Sequence, residues 1–193
     1  MAKHRAPDDP DRPRTLTGKT AVRKLHREIR RTHDSDIEIA FLLQDWSDAY
    51  NVGGMFRVAD ACGALELFVS GSTPLPPNPM VSVTSLGHHR RIPYHEFDRH
   101  EDAAKAARAK GYAVVAIEMA EGAVAYDEFE YPKRVCFALG NEQRGVYQAV
   151  MKHRDAAVFI PMRGKGRSMN VHVSAAVVAF HAIHFRRSVP GDG

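Results

Sequence analysis

The sequence predicts an α/β domain built on a mostly parallel sheet flanked by helices and preceded by a short basic helix. Three observations predict it. Continuous apolar runs recur along the chain at Glu38–Leu43 (EIAFLL), Tyr112–Ile117 (YAVVAI), Arg134–Leu139 (RVCFAL) and Ala156–Ile160 (AAVFI), as expected of central strands covered on both faces. Helical stretches alternate with these runs, which is the pattern of an α/β domain rather than of segregated layers. Finally, 193 residues with 44% hydrophobic and 26% charged side chains match one ordinary domain that can bury a core without disulfides.

Taken in order, Met1–Arg14 is rich in proline and alternating charge and is predicted to be disordered. From Thr17 to Arg31, Val22, Leu25 and Ile29 recur at helical spacing with basic residues between them. This helix could lay its apolar stripe on the body and turn Arg23, Lys24, Arg27, Arg30 and Arg31 outward. Thr32–Asp36 reads as a linker, so residues 1–36 form an extension and residues 37–193 the domain. Within the domain, Glu38–Leu43 and Leu65–Ser70 are strands separated by a helix over Asn51–Ala61. Gly71–Pro79 is rich in breakers. His100–Lys110 is an Ala/Lys/Arg helix stopped by Gly111. Three further strands follow, and Asn170–Arg187 is the longest predicted helix.

Charge is unevenly placed. Residues 1–36 hold 10 Lys/Arg against 6 Asp/Glu, and residues 37–193 hold 17 of each. The net +4 therefore lies entirely in the extension. A basic arm on a neutral body suggests a polyanionic partner, nucleic acid above all. Cys62 and Cys136 both sit in apolar runs, as expected of buried thiols in a cytoplasmic protein. No apolar stretch reaches the length of a membrane span, and the polar N-terminus lacks the apolar region of a secretory signal. Of the eleven histidines, His88-His89 and His181/His184 lack converging carboxylates or thiolates, so no metal site is expected.

In open α/β sheets ligands collect at the carboxyl ends of strands. Three apolar runs are followed there by segments rich in Gly, Asn and Arg: Gln44–Arg57, which contains Asn51–Arg57 (NVGGMFR); Gly140–Gly145 (GNEQRG); and Pro161–Asn170 (PMRGKGRSMN). Glycines permit close backbone approach to a ligand, while Asn and Glu supply orienting hydrogen bonds. Familiar nucleotide motifs fail. Gly18-Lys19-Thr20 has Pro13 where a P-loop needs its first glycine, and Met169 stands where a dinucleotide loop beginning at Gly164 needs its third.

These three loops resemble the SpoU-type RNA ribose 2′-O-methyltransferases of the SPOUT superfamily. The family's Asn and Arg six residues apart are matched by Asn51 and Arg57. Its Gly-Asn-Glu-x-x-Gly after a strand is matched by Leu139–Gly145 (LGNEQRG). Its Ile-Pro-Met, glycine loop and Ser-Leu-Asn-Val are matched by Ile160–Val171 (IPMRGKGRSMNV), with Met169 for Leu. Ser85-Leu86-Gly87 ahead of Arg90-Arg91-Ile92-Pro93 is a weaker match, and His172 departs from the family, which more often has a small residue there. The resemblance covers residues 37–187. It implies a C-terminal deep trefoil knot, a homodimer and an S-adenosylmethionine cofactor held by Gly140, Ile160 and Met169, with Leu139, Asn141, Glu142 and Met162 nearby.

The implied reaction moves a methyl group to a ribose 2′-hydroxyl, so the protein has to align two centres and manage one proton. Arg57 stays charged at neutral pH. It is expected to fork onto an RNA phosphate and, from the partner subunit, to complete the site. Asn51 is expected to fix that segment, Ser168 and Asn170 to hold ribose or cofactor, and Glu142 to order its own loop. Asn51 and Asn170 equally suit helix N-caps. Arg90, Arg91, Arg163, Lys165 and Arg167 are expected to contact RNA phosphates. The sequence leaves tRNA and rRNA both open, and leaves an RNA-binding module without turnover as the competing reading.

Overall fold

The computed structural model describes residues 18–32, 36–166 and 168–188. Met1–Arg14, where the sequence predicts disorder, lies outside the described residues, as does most of the expected linker. The chain divides into two units, the first holding helix α1 (Lys19–Thr32) and the second everything from Asp36 on. On α1, Arg23, Lys24, Arg27 and Arg31 are exposed, and Leu25 and Ile29 are exposed as well.

In the second unit, β1 (Glu38–Gln44), α2 (Ala49–Cys62), β2 (Glu66–Ser70), α3 (Pro79–Ser85), β3 (Tyr94–Phe97), α4 (His100–Ala109) and β4 (Ala113–Ile117) follow one another. After them come β5 (Val124–Ala125), β6 (Arg134–Leu139), α5 (Gln148–Met151), β7 (Ala156–Phe159) and α6 (Val171–Ser188). The seven strands are parallel in the order β3-β2-β1-β6-β4-β7-β5. Their side chains alternate between two buried layers. Ile39, Phe41 and Leu43 of β1 face α2 and α6, together with Phe56, Val178 and Ala182. Ala40 and Leu42 face the other way, onto Ala103, Ala104 and Ala107 of α4 and Val150 of α5. Burial on both faces explains why the central strands read as unbroken apolar runs.

Local chemistry sets the element ends. Asp48 caps α2, its carboxylate accepting the Tyr50 amide at 2.8 Å, so the helix starts earlier than the predicted Asn51. Gly63 closes α2 in the left-handed conformation. Four of these elements were not expected: α3, β3 and the short β5 and α5. In α3, Asn78 caps a helix that Pro79 opens, but its β-branched residues disguise it as a loop. In β3, the edge strand YHEF is half exposed and carries His and Glu where an apolar run would be sought.

Topology positions the site. After β1 the chain turns toward β2, and after β6 it turns toward β7, while β1 and β6 lie side by side with Leu43 opposite Leu139. Loops leaving two neighbouring strands in opposite directions open a crevice at their carboxyl ends.

One packing contact is tight enough to test. A Cβ on Gly53 would overlap the Thr84 hydroxyl and press on the Ser85 backbone, because α3 sits directly on this face of α2. Gly164 meets nothing within 4 Å. Overpacking costs about 1–3 kcal/mol, more than the roughly 1 kcal/mol that alanine gains over glycine in a helix. Urea unfolding is expected to show Gly53→Ala less stable than the wild type and Gly164→Ala within about 0.5 kcal/mol of it.

Candidate active site

The segment between β1 and α2 is fastened residue by residue to the loop after β6. Gln44, fully buried, accepts the Tyr147 amide on Oε1 at 2.7 Å. The Asp45 carbonyl accepts from Asn141 Nδ2 at 2.6 Å, and its carboxylate accepts from the Tyr147 hydroxyl at 2.9 Å and the Ser72 amide at 3.0 Å. Trp46, also fully buried, donates from Nε1 to the Leu139 carbonyl at 3.3 Å. Asp45 adopts a left-handed φ of 55° to make these contacts, a conformation that non-glycine residues adopt at an energetic cost. The Ser72 amide leads the set of groups that hold its carboxyl below the ordinary aspartate value.

Glu142 is the centre of this fastening. Its carboxylate accepts from the Ser47 amide (3.0 Å), the Ser47 hydroxyl (3.1 Å), the Asp48 amide (3.2 Å) and Asn51 Nδ2 (3.0 Å). Burial alone would raise its pKa. The Ser47 amide, Asn51 and the Asp48 amide outweigh that and leave it lowered. Asn51 then accepts from Asn170 Nδ2 at 2.8 Å on its own Oδ1. Asn170 also takes the His172 amide at 3.1 Å, so it caps α6 and joins α6 to α2 at once.

The three sequence motifs therefore meet in one hydrogen-bonded chain, Glu142–Asn51–Asn170. Two open clefts flank it. One, of about 260 Å³, is walled by Leu139, Ile160, Met162 and Met169, by Gly140 and Asn141, and by Ile117–Met119 at the end of β4. The other, of about 360 Å³, is polar, lined by Ser47, Asp48, Asn51, Ser168 and Asn170. They share Glu142, Ser168, Met169 and Val171. All seven residues expected at or near the cofactor line the first cleft, and Asn51, Ser168, Asn170 and Glu142 line the second. Arg57 lines neither; it is exposed on α2. Of the residues expected at RNA, Arg91 forks onto Asp60 at 3.0 and 3.1 Å, while Arg90, Arg163 and Lys165 are exposed. Arg167 and the Arg30 side chain lie outside the described residues.

Sequence reasoning missed Glu118. It lines the first cleft, and its carboxylate accepts the Met119 amide at 3.0 Å and the Val146 amide at 2.9 Å. Its signal is weak, an acidic residue directly after an apolar strand. The glycines do different work from that expected. A side chain on Gly140 would overlap the Gly145 backbone, so Gly140 lets the loop close on itself through the paired Asn141 and Gly145 amides and carbonyls. Gly53 and Gly54 admit α3 and His172, not a ligand. Among the described residues no group of His, Cys, Asp or Glu could hold a metal ion, and no helix is long and apolar enough to cross a membrane.

Residues 38–180 match the SpoU rRNA Methylase family. This chain belongs to that family. It is 30% identical over 162 residues to a tRNA (guanosine(18)-2′-O)-methyltransferase of Thermus thermophilus, spanning 84% of this chain and 81% of that protein. It is 29% identical over 142 residues to a 23S rRNA (guanosine(2553)-2′-O)-methyltransferase of Bacillus subtilis, spanning 72% of this chain and 56% of the relative. Among solved structures, the AdoMet-bound rRNA methyltransferase of Sinorhizobium meliloti superposes with a TM-score of 0.71 at 29% identity. That match covers 84% of this chain and 61% of the other.

Glu142 gives a pH-dependent test. Its folded pKa lies below its ordinary 4.5, so the stability it contributes is complete above 4.5 and is lost as pH falls through the lower folded value. Glu142→Gln is expected to cost about 1–2 kcal/mol at neutral pH, the scale of hydrogen bonds to a charged group at a partly solvated site. Denaturation of both proteins from pH 7 downward should show the gap closing only below 4.5.

Proposed function

We propose that the first cleft holds S-adenosylmethionine and that the adjoining polar cleft presents a ribose 2′-hydroxyl of structured tRNA or rRNA to it. As a SpoU family member the chain is an S-adenosylmethionine-dependent RNA 2′-O-methyltransferase, in line with the tRNA and rRNA methyltransferases it resembles. The observation that carries the reading is the shared wall. Glu142, Ser168, Met169 and Val171 face both clefts, so a cofactor in one and a ribose in the other lie within reach of each other.

The residues present fit the cofactor. Leu139, Ile160 and Met162 offer apolar walls for its adenine and thioether parts, and the Gly140–Glu142 backbone offers polar contacts. When bound, the cofactor supplies a methyl group already activated on a sulfonium. That positive charge disappears on transfer, so a free carboxylate beside it would stabilise the ground state more than the transition state. Glu118 and Glu142 both line the cleft, but each is engaged with loop amides. The chain's own residues thus have the task of orienting the reactants, with both carboxylates directed at the loop amides. Ser168 and Asn170 offer hydrogen bonds to the ribose. Arg57, charged and forked, suits the neighbouring phosphate and the placement of the hydroxyl.

Arg57 faces solvent and lines neither cleft of its own chain. This favours a homodimer in which each copy's Arg57 completes the other's site, and Tyr50, Val173 and Phe180 on α2 and α6 are exposed apolar residues suited to such a contact. The last helix packs on α2 after β6 has entered between β1 and β4, an arrangement compatible with the deep trefoil knot that the resemblance implies. Free thiols at Cys62 and Cys136 and an RNA substrate favour the cytoplasm. The exposed Arg90, Arg163 and Lys165 are read as phosphate contacts, and α1 as an arm that captures RNA.

Purified protein with tritiated S-adenosylmethionine is expected to label RNA. Arg57→Ala should abolish labelling while calorimetry still shows cofactor binding; persistent labelling overturns the role of Arg57. Deleting residues 1–33 should weaken RNA binding and flatten its salt dependence, by about 0.7–0.9 in the log–log slope for each phosphate that the arm had neutralised. Cofactor affinity should be unchanged. Unaltered RNA affinity would make the arm a solvated tail.

A further inference from the structure

The structure gives His172 a close-packed seat between α6 and α2. Its imidazole lies directly on Gly54 of α2, so close that a Cβ at that glycine would come within 2.9 Å of the ring. Its backbone amide is held by Asn170, whose side chain in turn holds Asn51 in the first turns of the same helix. Arg57 lies three residues beyond Gly54, on the same face of α2. We propose that His172 is a positioning residue for Arg57, a neutral wedge between α6 and α2 that sets the helix face from which the guanidinium reaches the RNA. The proposal rests on the role given to Arg57 above.

The ring's surroundings favour its neutral form. Nδ1 is buried and has no hydrogen-bond partner among the described residues. A proton on both nitrogens would leave a buried donor without an acceptor on a charged ring. The neutral tautomer with its proton on Nε2 leaves only an unfilled acceptor. Two charges act on the ring from the element packed against it. Arg57 opposes protonation, and Asp48 at the start of α2 favours it. Burial and Arg57 outweigh Asp48 and hold the imidazole below its ordinary value of 6.5. A protonated ring would set a second cation beside Arg57 and displace the side chain that it otherwise steadies.

The geometry predicts that Gly54 and His172 act as one unit, which a double-mutant cycle resolves. Single-turnover methyl transfer is measured at saturating RNA and cofactor between pH 5.5 and 8. His172→Ala removes the wedge and Gly54→Ala pushes it off its seat. Each is expected to lower the rate about tenfold, the scale of a small misplacement of a reacting group, with cofactor Kd within about twofold. The double variant should be no slower than His172→Ala alone, because the new methyl group then meets an empty seat. The wild-type rate should show an acid limb that lies below pH 6.5, displaced downward as the shift of His172 requires, and this limb should be missing from His172→Ala. His172→Asn, which keeps a polar side chain of similar reach, should also lack it, and thermal melts of both variants report folding separately. Multiplying effects in the double variant, or an acid limb unchanged in both His172 variants, would overturn the proposal. Full activity in Arg57→Ala would instead remove the reading on which it rests.

Discussion

The site depends on one constraint: the loop after β6 has no strand or helix of its own to hold it over the cleft. It carries the backbone proposed to hold the cofactor, between Leu139 and Gly145, and lines an open cleft. The Glu142 carboxylate resolves this by accepting from Ser47, Asp48 and Asn51 at the start of α2. A charged acceptor facing amides at a helix N-terminus is favoured by the helix dipole as well as by hydrogen bonding. Gln44, Asp45 and Trp46 complete the fastening to Tyr147, Asn141 and Leu139. The parallel β1–β6 pair makes this possible, because it delivers both loops to the same edge with Leu43 opposite Leu139.

From that fastening the remaining arrangement follows. Asn51 uses its amide group on Glu142 and its carbonyl on Asn170, so it relays the position of the β6 loop to the start of α6. The role is larger than the N-cap that the sequence also allowed, since the α2 cap is Asp48. Asn170 does both jobs, capping its own helix and closing the chain of contacts. Gly53 and Gly54 then let α3 and His172 pack directly on α2. The helix that carries Arg57 is thus located by the β6 loop at its start and by α3 and α6 along its length.

The part of this legible in the sequence was the part encoded by local pattern. β1, β2, β4, β6 and β7 are apolar runs because both their faces are covered, and the structure keeps the predicted Arg134–Leu139 bounds of β6. α4 is marked by its alanines and by Gly111, which has the positive φ of 84° that follows a helix end. The motif residues of all three loops were legible because each follows an apolar run. What was hidden is polar and long-range. Gln44, Asp45 and Ser47 find their partners 95 or more positions away, and no periodicity in the sequence announces such pairs. Glu118 was hidden for the same reason, since its work is on Val146.

The same contacts bear on why a site rich in carboxylates can serve a cationic donor. Asp45, Asp48, Glu118 and Glu142 cluster around the carboxyl ends of β1, β4 and β6, and a free acid among them would hold the sulfonium in its ground state. Asp45 accepts from Tyr147 and Ser72, Asp48 from Tyr50, Glu118 from Met119 and Val146, and Glu142 from Ser47, Asp48 and Asn51. Each is directed at amides and hydroxyls that build the walls, so the negative charge stabilises the frame. Net charge says little about such a site: the neutral balance of residues 37–193 conceals acids turned into the scaffold and arginines turned toward solvent. The binding of a polyanion can then fall to exposed cations, while the carboxylates at the two clefts are held in place by the amides and hydroxyls of the frame.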